Sequence, residues 1–181
     1  MGTITPLRQR MIEDMTGRKL TTGTQKGHIR ACLRFTTFLE RSPDTATCED
    51  VRRFQLHLSQ ADISISNRNR TMTGLRFLFR VTLGRLDLAN EVYHVREPQK
   101  IPMVMSREEV KRLLAMAKNL KVRVMLSLAY GCGLRAGEVL RLRAGDIDSA
   151  QGIIRIVQAK GRKDRHVMLS ADLLILLRQW W

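Results

Sequence analysis

The sequence is poor in the residues that build cross-linked or metal-bound frameworks. It has three cysteines, Cys32, Cys48 and Cys132, and no two of them form a Cys-x-x-Cys pair. An odd number of widely spaced cysteines argues against a disulfide framework and against a zinc site, and it favours a reducing compartment. We therefore expect no metal site and no cofactor.

Aromatic residues and long apolar runs are also scarce. Aromatics make up 5% of the chain and are scattered, which argues against a platform that stacks single-stranded bases. The sequence has no signal peptide and no run of the roughly 18 apolar residues that a membrane span needs. We expect a soluble, intracellular and cytoplasmic protein without a membrane partner.

Acidic residues are outnumbered by basic ones. The chain has 17 Asp and Glu against 32 Lys and Arg, which gives a net charge of +15, and the excess is spread over both halves. Most of the basic residues are arginine, whose planar fork can bind two phosphate oxygens at once. A nucleic-acid partner fits this composition, since neutralising the phosphate backbone supplies most non-specific affinity. The alternative is a basic surface that serves solubility alone.

The first half predicts a small bundle of α-helices joined by short loops. Apolar residues at helical spacing indicate helices over residues 6–19, 25–41, 51–60 and 64–83. Thr47 and Asp50 form a capping pair for the third helix. Leu33 and Leu56 are among the expected core residues. A linker follows over residues 93–104, which contain two prolines and no periodicity.

Basic residues recur along two of these helices. Lys26, Arg30 and Arg34 lie four residues apart, so their charges share one stripe of the second helix. Like charges so placed repel one another unless an anion lies over them. We predict that the stripe binds DNA; a solvated helix face is the alternative. Further DNA-binding candidates lie on the fourth helix: Arg68, Arg70 and Arg76.

The second half predicts helices and a β-hairpin. A capping box at Ser106 and Glu109 opens a helix over residues 107–117, and a buried apolar helix follows over residues 122–130. Residues 146–152 are predicted to form turns. A β-branched strand over residues 153–157, a turn at 160–164 and a return strand over 165–169 form the hairpin.

The last predicted helix spans residues 171–181 and carries an unusually apolar side. We expect this side to be exposed and to favour aggregation or a partner. Its residues are Leu173, Leu174, Leu176, Leu177, Trp180 and Trp181.

Arg135 follows a glycine turn, Gly131-Cys132-Gly133, and enters a short helix. We expect that helix to have one apolar side, which is formed by Leu134, Val139, Leu140 and Leu142. A guanidinium beside the free amides of a helix start can bind phosphate. The sequence therefore predicts a phosphate site at this turn.

Two stretches together resemble the tyrosine recombinases, a family that includes phage integrases, Xer-type recombinases and related transposases. GLRAGEVLRL, residues 133–142, is similar to the family's first arginine box, and DIDSAQGIIRIVQAKGRKDRHVMLS, residues 146–170, is similar to its β-hairpin. The resemblance implies a mainly α fold with a small β-hairpin (α+β). It implies a helical, SAM-like core-binding domain over residues 1–95, a linker over 96–104, and an incomplete catalytic domain over 105–181.

The family's reaction is strand exchange on duplex DNA without a metal or nucleotide, through a 3′-phosphotyrosyl link. By resemblance, Arg135 stabilises charge on the phosphate, Glu138 supports it, and Lys160 is the general acid. Arg162 and Lys163 are expected to bind DNA beside Lys160. The alternatives are an Arg135–Glu138 helix brace and an exposed turn lysine at 160, with Lys163 as a rival. The resemblance also implies a homo-oligomer on DNA in a full-length form, association with the nucleoid, and no small-molecule substrate.

The sequence departs from the family after the hairpin. No histidine begins a His-x-x-Arg box, and the two tyrosines, Tyr93 and Tyr130, do not occupy the nucleophile's place. We expect the N-terminal portion of a truncated recombinase, inactive alone. The alternative is a stand-alone, non-catalytic DNA-binding protein derived from a recombinase. A metal-dependent nuclease is disfavoured, because Asp146 and Asp148 are typical turn residues.

Overall fold

The computed structural model describes residues 5–157 and 164–181, which form two compact units, Met1–Lys100 and Ile101–Trp181. The described part of the first unit is helical. Its helices are α1 (Pro6–Gly17), α2 (Thr22–Leu39), α3 (Cys48–Gln60), α4 (Ile65–Phe77) and α5 (Leu86–Glu91). A 3₁₀ turn at Pro43–Thr45 precedes α3, and a π-helical turn at Leu78–Thr82 extends α4.

Three phenylalanines lie at the centre of the first unit's core. The Phe35 ring lies 5.0 Å from the Phe54 ring and 5.8 Å from the Phe79 ring, and all three side chains are fully buried. The capping pair of α3 is confirmed: the Asp50 amide donates to the Thr47 hydroxyl, and the Thr47 amide donates to the Asp50 carboxylate.

Two predicted core residues of this unit lie on its surface instead. Leu33 is 52% exposed and Leu56 is 50% exposed. The buried stripe of α3 runs through Val51, Phe54 and Leu58, and Leu56 is rotated away from it. The short helix α5 was not predicted, since its six residues carry no side-chain cap.

The second unit combines four helices with a small sheet in its described residues. The helices are α6 (Arg107–Ala115), α7 (Leu120–Gly131), α8 (Ala136–Arg141) and α9 (Ala171–Trp180), and the strands are β1 (Ile147–Asp148), β2 (Ile153–Ile156) and β3 (Arg165–Met168). The strands form an antiparallel sheet in the order β1-β2-β3. The predicted fold class, mainly α with a little β, is confirmed. The prediction of a turn at residues 146–148 is wrong in part, because Ile147 pairs with Ile154 and makes a third strand.

The apolar side of α9 is largely covered. Leu173 and Leu177 are buried in one core with Val124 and Leu128 of α7, so the prediction that they are exposed is wrong. Leu174 and Leu176 pack partly against the same core, whereas Trp181 is 56% exposed. The reason is that α7 packs on α9 and buries one stripe of each helix.

Two other apolar positions of this unit differ from expectation. Leu140 is 71% exposed, although Leu134 and Val139, which precede it in the sequence, are buried. In α7 the buried residues are Val124 and Leu128, and Tyr130 is exposed, so this helix is buried along one stripe rather than all round.

The three cysteines are free thiols in different surroundings. The Cys32 Sγ lies 3.6 Å from the Met11 Sδ in the first core, Cys48 is exposed in the first turn of α3, and the half-buried Cys132 thiol donates to the Met168 carbonyl. Within residues 5–157 and 164–181, no helix has the length and apolar character that crossing a bilayer demands.

Candidate functional site

Glu138 is the centre of a cluster of charges in the second unit. It lies on α8, and its side chain is only 3% exposed. The carboxylate Oε1 accepts a bond from the Arg135 Nη1 at 3.0 Å, and Oε2 accepts one from the Arg135 backbone amide at 2.9 Å. A buried carboxylate must be paired, and here the pairing fixes both the main chain and the side chain of Arg135.

Arg135 is the residue just before α8 and its backbone is extended (φ −73°, ψ 150°). The turn that leads to it uses Gly133 at φ +61°, a conformation that favours glycine. Leu134 is buried and anchors the turn in the core, whereas the Arg135 side chain is 59% exposed. The guanidinium is thus held at one edge by Glu138 and open to solvent elsewhere.

Arg165 completes this cluster from the sheet. Its Nη1 and Nη2 donate to the two oxygens of Glu138, each at 2.8 Å, and its side chain is 32% exposed. The two arginines and one carboxylate leave a net positive charge. Paired N–H groups of this kind also make bidentate contacts with phosphate.

The hydrogen bonds from Arg165 hold the pKa of Glu138 far below its ordinary value of 4.5, helped by the Arg135 amide and side chain and opposed by desolvation. The same pair raises the pKa of Arg165. Glu138 and Arg165 therefore stay charged across the physiological range, and their ion pair does not change its charge at neutral pH.

Three predicted residues of the hairpin turn, Lys160, Arg162 and Lys163, lie outside the described residues. The strands on either side of residues 158–163 are paired at Ile156 and Arg165. Arg165 is therefore both the first residue of β3 and the partner of Glu138.

The predicted basic stripe on α2 is solvent-exposed. Lys26, Arg30 and Arg34 all lie on the surface of the first unit. The Arg34 Nη1 donates weakly to the Thr71 hydroxyl at 3.4 Å, which draws its side chain toward α4. Arg70 on α4 is also exposed. All four of these basic side chains are therefore exposed to solvent.

The two other arginines predicted on α4 are engaged within the unit. Arg68 is 8% exposed, its Nη2 donates to the Tyr93 hydroxyl at 3.0 Å, and its guanidinium lies 5.2 Å from the centre of the Tyr93 ring. Arg76 donates to the Val92 carbonyl. These nitrogens contact the segment after α5, and DNA binding by Arg68 and Arg76 stays a prediction.

Two amide side chains hold the same segment. The Gln55 carboxamide donates to the Glu91 carbonyl and accepts from the Tyr93 amide. Asn69 donates to the Val95 carbonyl at 2.8 Å and accepts from its amide at 2.9 Å. The start of the predicted linker is therefore fixed to α3 and α4 up to Val95.

The two tyrosines lie in different surroundings. The Tyr93 hydroxyl belongs to the contact with Arg68 just described, and Tyr130 is 58% exposed on α7. Among the described residues, no group of three or more His, Cys, Asp or Glu side chains is arranged to hold a metal ion.

The sequence placed Arg165 at the start of the return strand, residues 165–169, and predicted no contact between it and Glu138. The contact with Glu138 spans 27 residues and links a helix to a strand, so no local spacing signals it. The one local feature that marks Arg165 in the sequence is its position directly after the predicted turn at residues 160–164.

Both units match known families. Residues 103–181 match the family described as "Phage integrase family", and residues 7–87 match "Phage integrase, N-terminal SAM-like domain". A Sinorhizobium fredii protein named as an integrase/recombinase is 38% identical over 180 residues, which cover 98% of this chain and 58% of that protein. The tyrosine recombinase XerA of Thermococcus kodakarensis is 36% identical over 130 residues, 71% of this chain and 46% of the relative.

Solved structures share the fold. The Tn1549 transposon integrase, in complex with transposon right end DNA, matches with a TM-score of 0.68 at 15% identity, over 97% of this chain and 64% of that one. XerH site-specific recombinase, bound to palindromic difH substrate, matches with a TM-score of 0.54 at 21% identity, over 87% and 50% of the two chains. The chain spans about half the length of the curated relatives it matches.

Proposed function

We propose a function from one premise: the chain belongs to the phage integrase family of tyrosine recombinases. Its residues bind duplex DNA and supply part of a site that cuts and rejoins DNA through a 3′-phosphotyrosyl intermediate. The partner is double-stranded DNA, on which a full-length form assembles as a homo-oligomer. The protein acts in the cytoplasm, on the DNA of the nucleoid.

The observation that carries this proposal is the exposed guanidinium of Arg135, held at one edge by the buried Glu138. Transfer of a phosphoryl group requires mainly positioning and positive donors near the non-bridging oxygens. Arg135 has its charge fixed in place before any substrate arrives, so little is lost in ordering it. Lys160 acts as the general acid that protonates the leaving 5′ oxygen.

The two units divide this work. Residues 1–95 form the core-binding domain, with Lys26, Arg30, Arg34 and Arg70 on its DNA-facing surface. Residues 96–104 are the linker, and residues 105–181 are the N-terminal part of the catalytic domain, where Arg162 and Lys163 contact DNA beside Lys160. Residues 1–181 alone do not cleave DNA, because neither Tyr93 nor Tyr130 serves as the nucleophile.

Titration of the duplex affinity with salt tests DNA binding. The logarithm of the binding constant should fall linearly with the logarithm of salt concentration, with a slope of about −0.9 per neutralised phosphate. Arg30→Gln should weaken binding and reduce the slope by about one. Arg52→Gln on α3 is the matched control: Arg52 is exposed but paired with Glu49, so its loss should leave the slope unchanged. Affinity that does not respond to salt would refute the proposal.

A nicked duplex that traps covalent intermediates tests the assignment of the tyrosines. Residues 1–181 should form no covalent adduct on it. An adduct that disappears in Tyr93→Phe or Tyr130→Phe would show that one of these tyrosines is the nucleophile.

A further inference from the structure

Glu138 is shared between two arginines that come from different parts of the second unit. Arg135 donates to the carboxylate from one side-chain nitrogen and from its backbone amide, and Arg165 donates from two side-chain nitrogens. Both oxygens of the carboxylate therefore accept one bond from each arginine. Moving either arginine changes the bonds available to the other.

Arg165 differs from Arg135 in what remains available to a ligand. Its guanidinium directs both terminal nitrogens at Glu138, and its side chain is 32% exposed, against 59% for Arg135. A phosphate would have to displace Glu138 to reach the edge of Arg165 formed by Nη1 and Nη2. Arg135 can meet a phosphate while its bond to Glu138 stays intact.

A second contact ties the same loop to the same strand. Cys132, three residues before Arg135, donates its thiol proton to the Met168 carbonyl at 3.3 Å. The two ends of β3, Arg165 and Met168, therefore each contact the segment that carries Arg135 or its partner Glu138. The strand serves as a fixed support for that turn.

We propose that Arg165 is a positioning residue: it orients Glu138 and, through Glu138, the phosphate-binding guanidinium of Arg135. The proposal rests on the proposed function insofar as Arg135 binds DNA phosphate. Arg165 itself does not contact the DNA. Lysine cannot replace it, because an ammonium group lacks the planar fork that meets both carboxylate oxygens.

A double-mutant cycle on the full chain tests this inference. The probe is a short, fluorescently labelled duplex of arbitrary sequence, and the variants are Arg165→Lys, Arg135→Ala and the double variant. Arg165→Lys keeps the charge, so it should weaken binding by about threefold to tenfold, the effect of one typical hydrogen bond, without changing the salt slope. In the Arg135→Ala background it should have no further effect. Arg155→Lys, an exposed arginine on β2, is the matched control and should leave the affinity unchanged.

Two results would overturn the inference. An equal loss in both backgrounds would mean that Arg165 contacts DNA directly. A lower melting temperature with unchanged affinity would mean that the residue only stabilises the fold. If the unmodified chain does not bind the duplex, the proposed function fails, and the inference is then judged by a measurement without DNA.

That measurement is hydrogen exchange at the Arg135 backbone amide, which donates to Glu138. Arg165→Lys should speed its exchange, whereas the Leu174 amide, which donates to the Ser170 carbonyl at the start of α9, should keep its rate. Unchanged exchange at Arg135 would refute the positioning role. If Arg165→Lys does not fold, Glu138→Gln replaces it in the double-mutant cycle, because glutamine keeps the side-chain shape and weakens the pairs with both arginines. Glu138→Gln should weaken DNA binding in the unmodified chain and have no further effect beside Arg135→Ala. Additive losses of affinity would refute the positioning role.

Discussion

Gly74 on α4 lies against Ala31 on α2 so closely that a Cβ atom added to Gly74 would be 2.7 Å from the Ala31 Cβ. It would also lie 3.1 Å from the Cα of His28. Real Cβ atoms do not approach other atoms to 2.7 Å, and the second neighbour is backbone. The absence of a side chain at Gly74 is what lets α2 and α4 pack at this distance.

Gly74→Ala should therefore destabilise the first unit by about 1–3 kcal/mol, although alanine is the better helix former. Urea unfolding followed by circular dichroism measures the change. Gly27→Ala is the control, because a Cβ there meets nothing within 4 Å, and it should stabilise α2 by about 0.5–1 kcal/mol. Equal stabilisation by both substitutions would contradict the close packing.

Glu138→Gln should lower the melting temperature of the second unit at neutral pH by several degrees. Because the pKa of Glu138 is depressed in the folded state, its stabilising effect is fully present above the unfolded value, near 4.5, and is lost as pH falls from there toward the folded value. The difference between the two proteins should therefore be constant near neutral pH and shrink in acid.

Tryptophan fluorescence follows this unit alone, because both tryptophans, Trp180 and Trp181, belong to it. Glu108→Gln on α6 changes the same charge at an exposed position and should have a much smaller effect at every pH. A difference that persists undiminished in strong acid would argue against the depressed pKa.

Asn69→Ala should release the end of the segment after α5. The Val95 amide donates to the Asn69 side chain, so its hydrogen exchange should become fast. The Tyr93 amide donates to Gln55 instead and should keep its protection. Thr73→Ala is the matched control, because Thr73 contacts the His94 ring and no amide of this segment. Loss of protection at both amides would mean that the segment opens as one piece.

Leu177→Ala should cost the second unit about 2–5 kcal/mol, since Leu177 is 1% exposed beneath α7. Ile175→Ala on the same helix removes a side chain that is 54% exposed, and it should cost less than about 1 kcal/mol. Urea unfolding by tryptophan fluorescence compares the two variants. Similar small losses would mean that α9 does not pack against α7.

Local sequence signals predicted the helices that begin at a side-chain cap. The helix α3 begins at a capping pair, and the α6 capping box likewise closes between Ser106 and Glu109. By contrast, α5 has no side-chain cap, and β1 has two residues whose sheet character comes only from pairing with β2. Such short elements form because of tertiary contacts, and no local pattern reveals them.

In the candidate site, too, local signals predicted some residues and missed the contacts that depend on the fold. The Gly-Leu-Arg turn indicated an arginine held for phosphate, and Arg135 is exposed on that turn. The spacing of basic residues on α4 could not separate Arg70, which is exposed, from Arg68, which is buried by Tyr93 from a segment 25 residues away. The bond between Glu138 and Arg165 depends on how a strand meets a helix, which only the fold determines.

The different surroundings of the three thiols make the protein suited to labelling at one place. Burial raises the pKa of Cys32 to about 12, and partial burial raises that of Cys132 as well. A maleimide reacts with the thiolate, so both of these cysteines are protected at neutral pH, whereas Cys48 is exposed at the start of α3. A dye attached without any mutation therefore marks Cys48, in the first unit, and leaves Arg135 and Glu138 untouched.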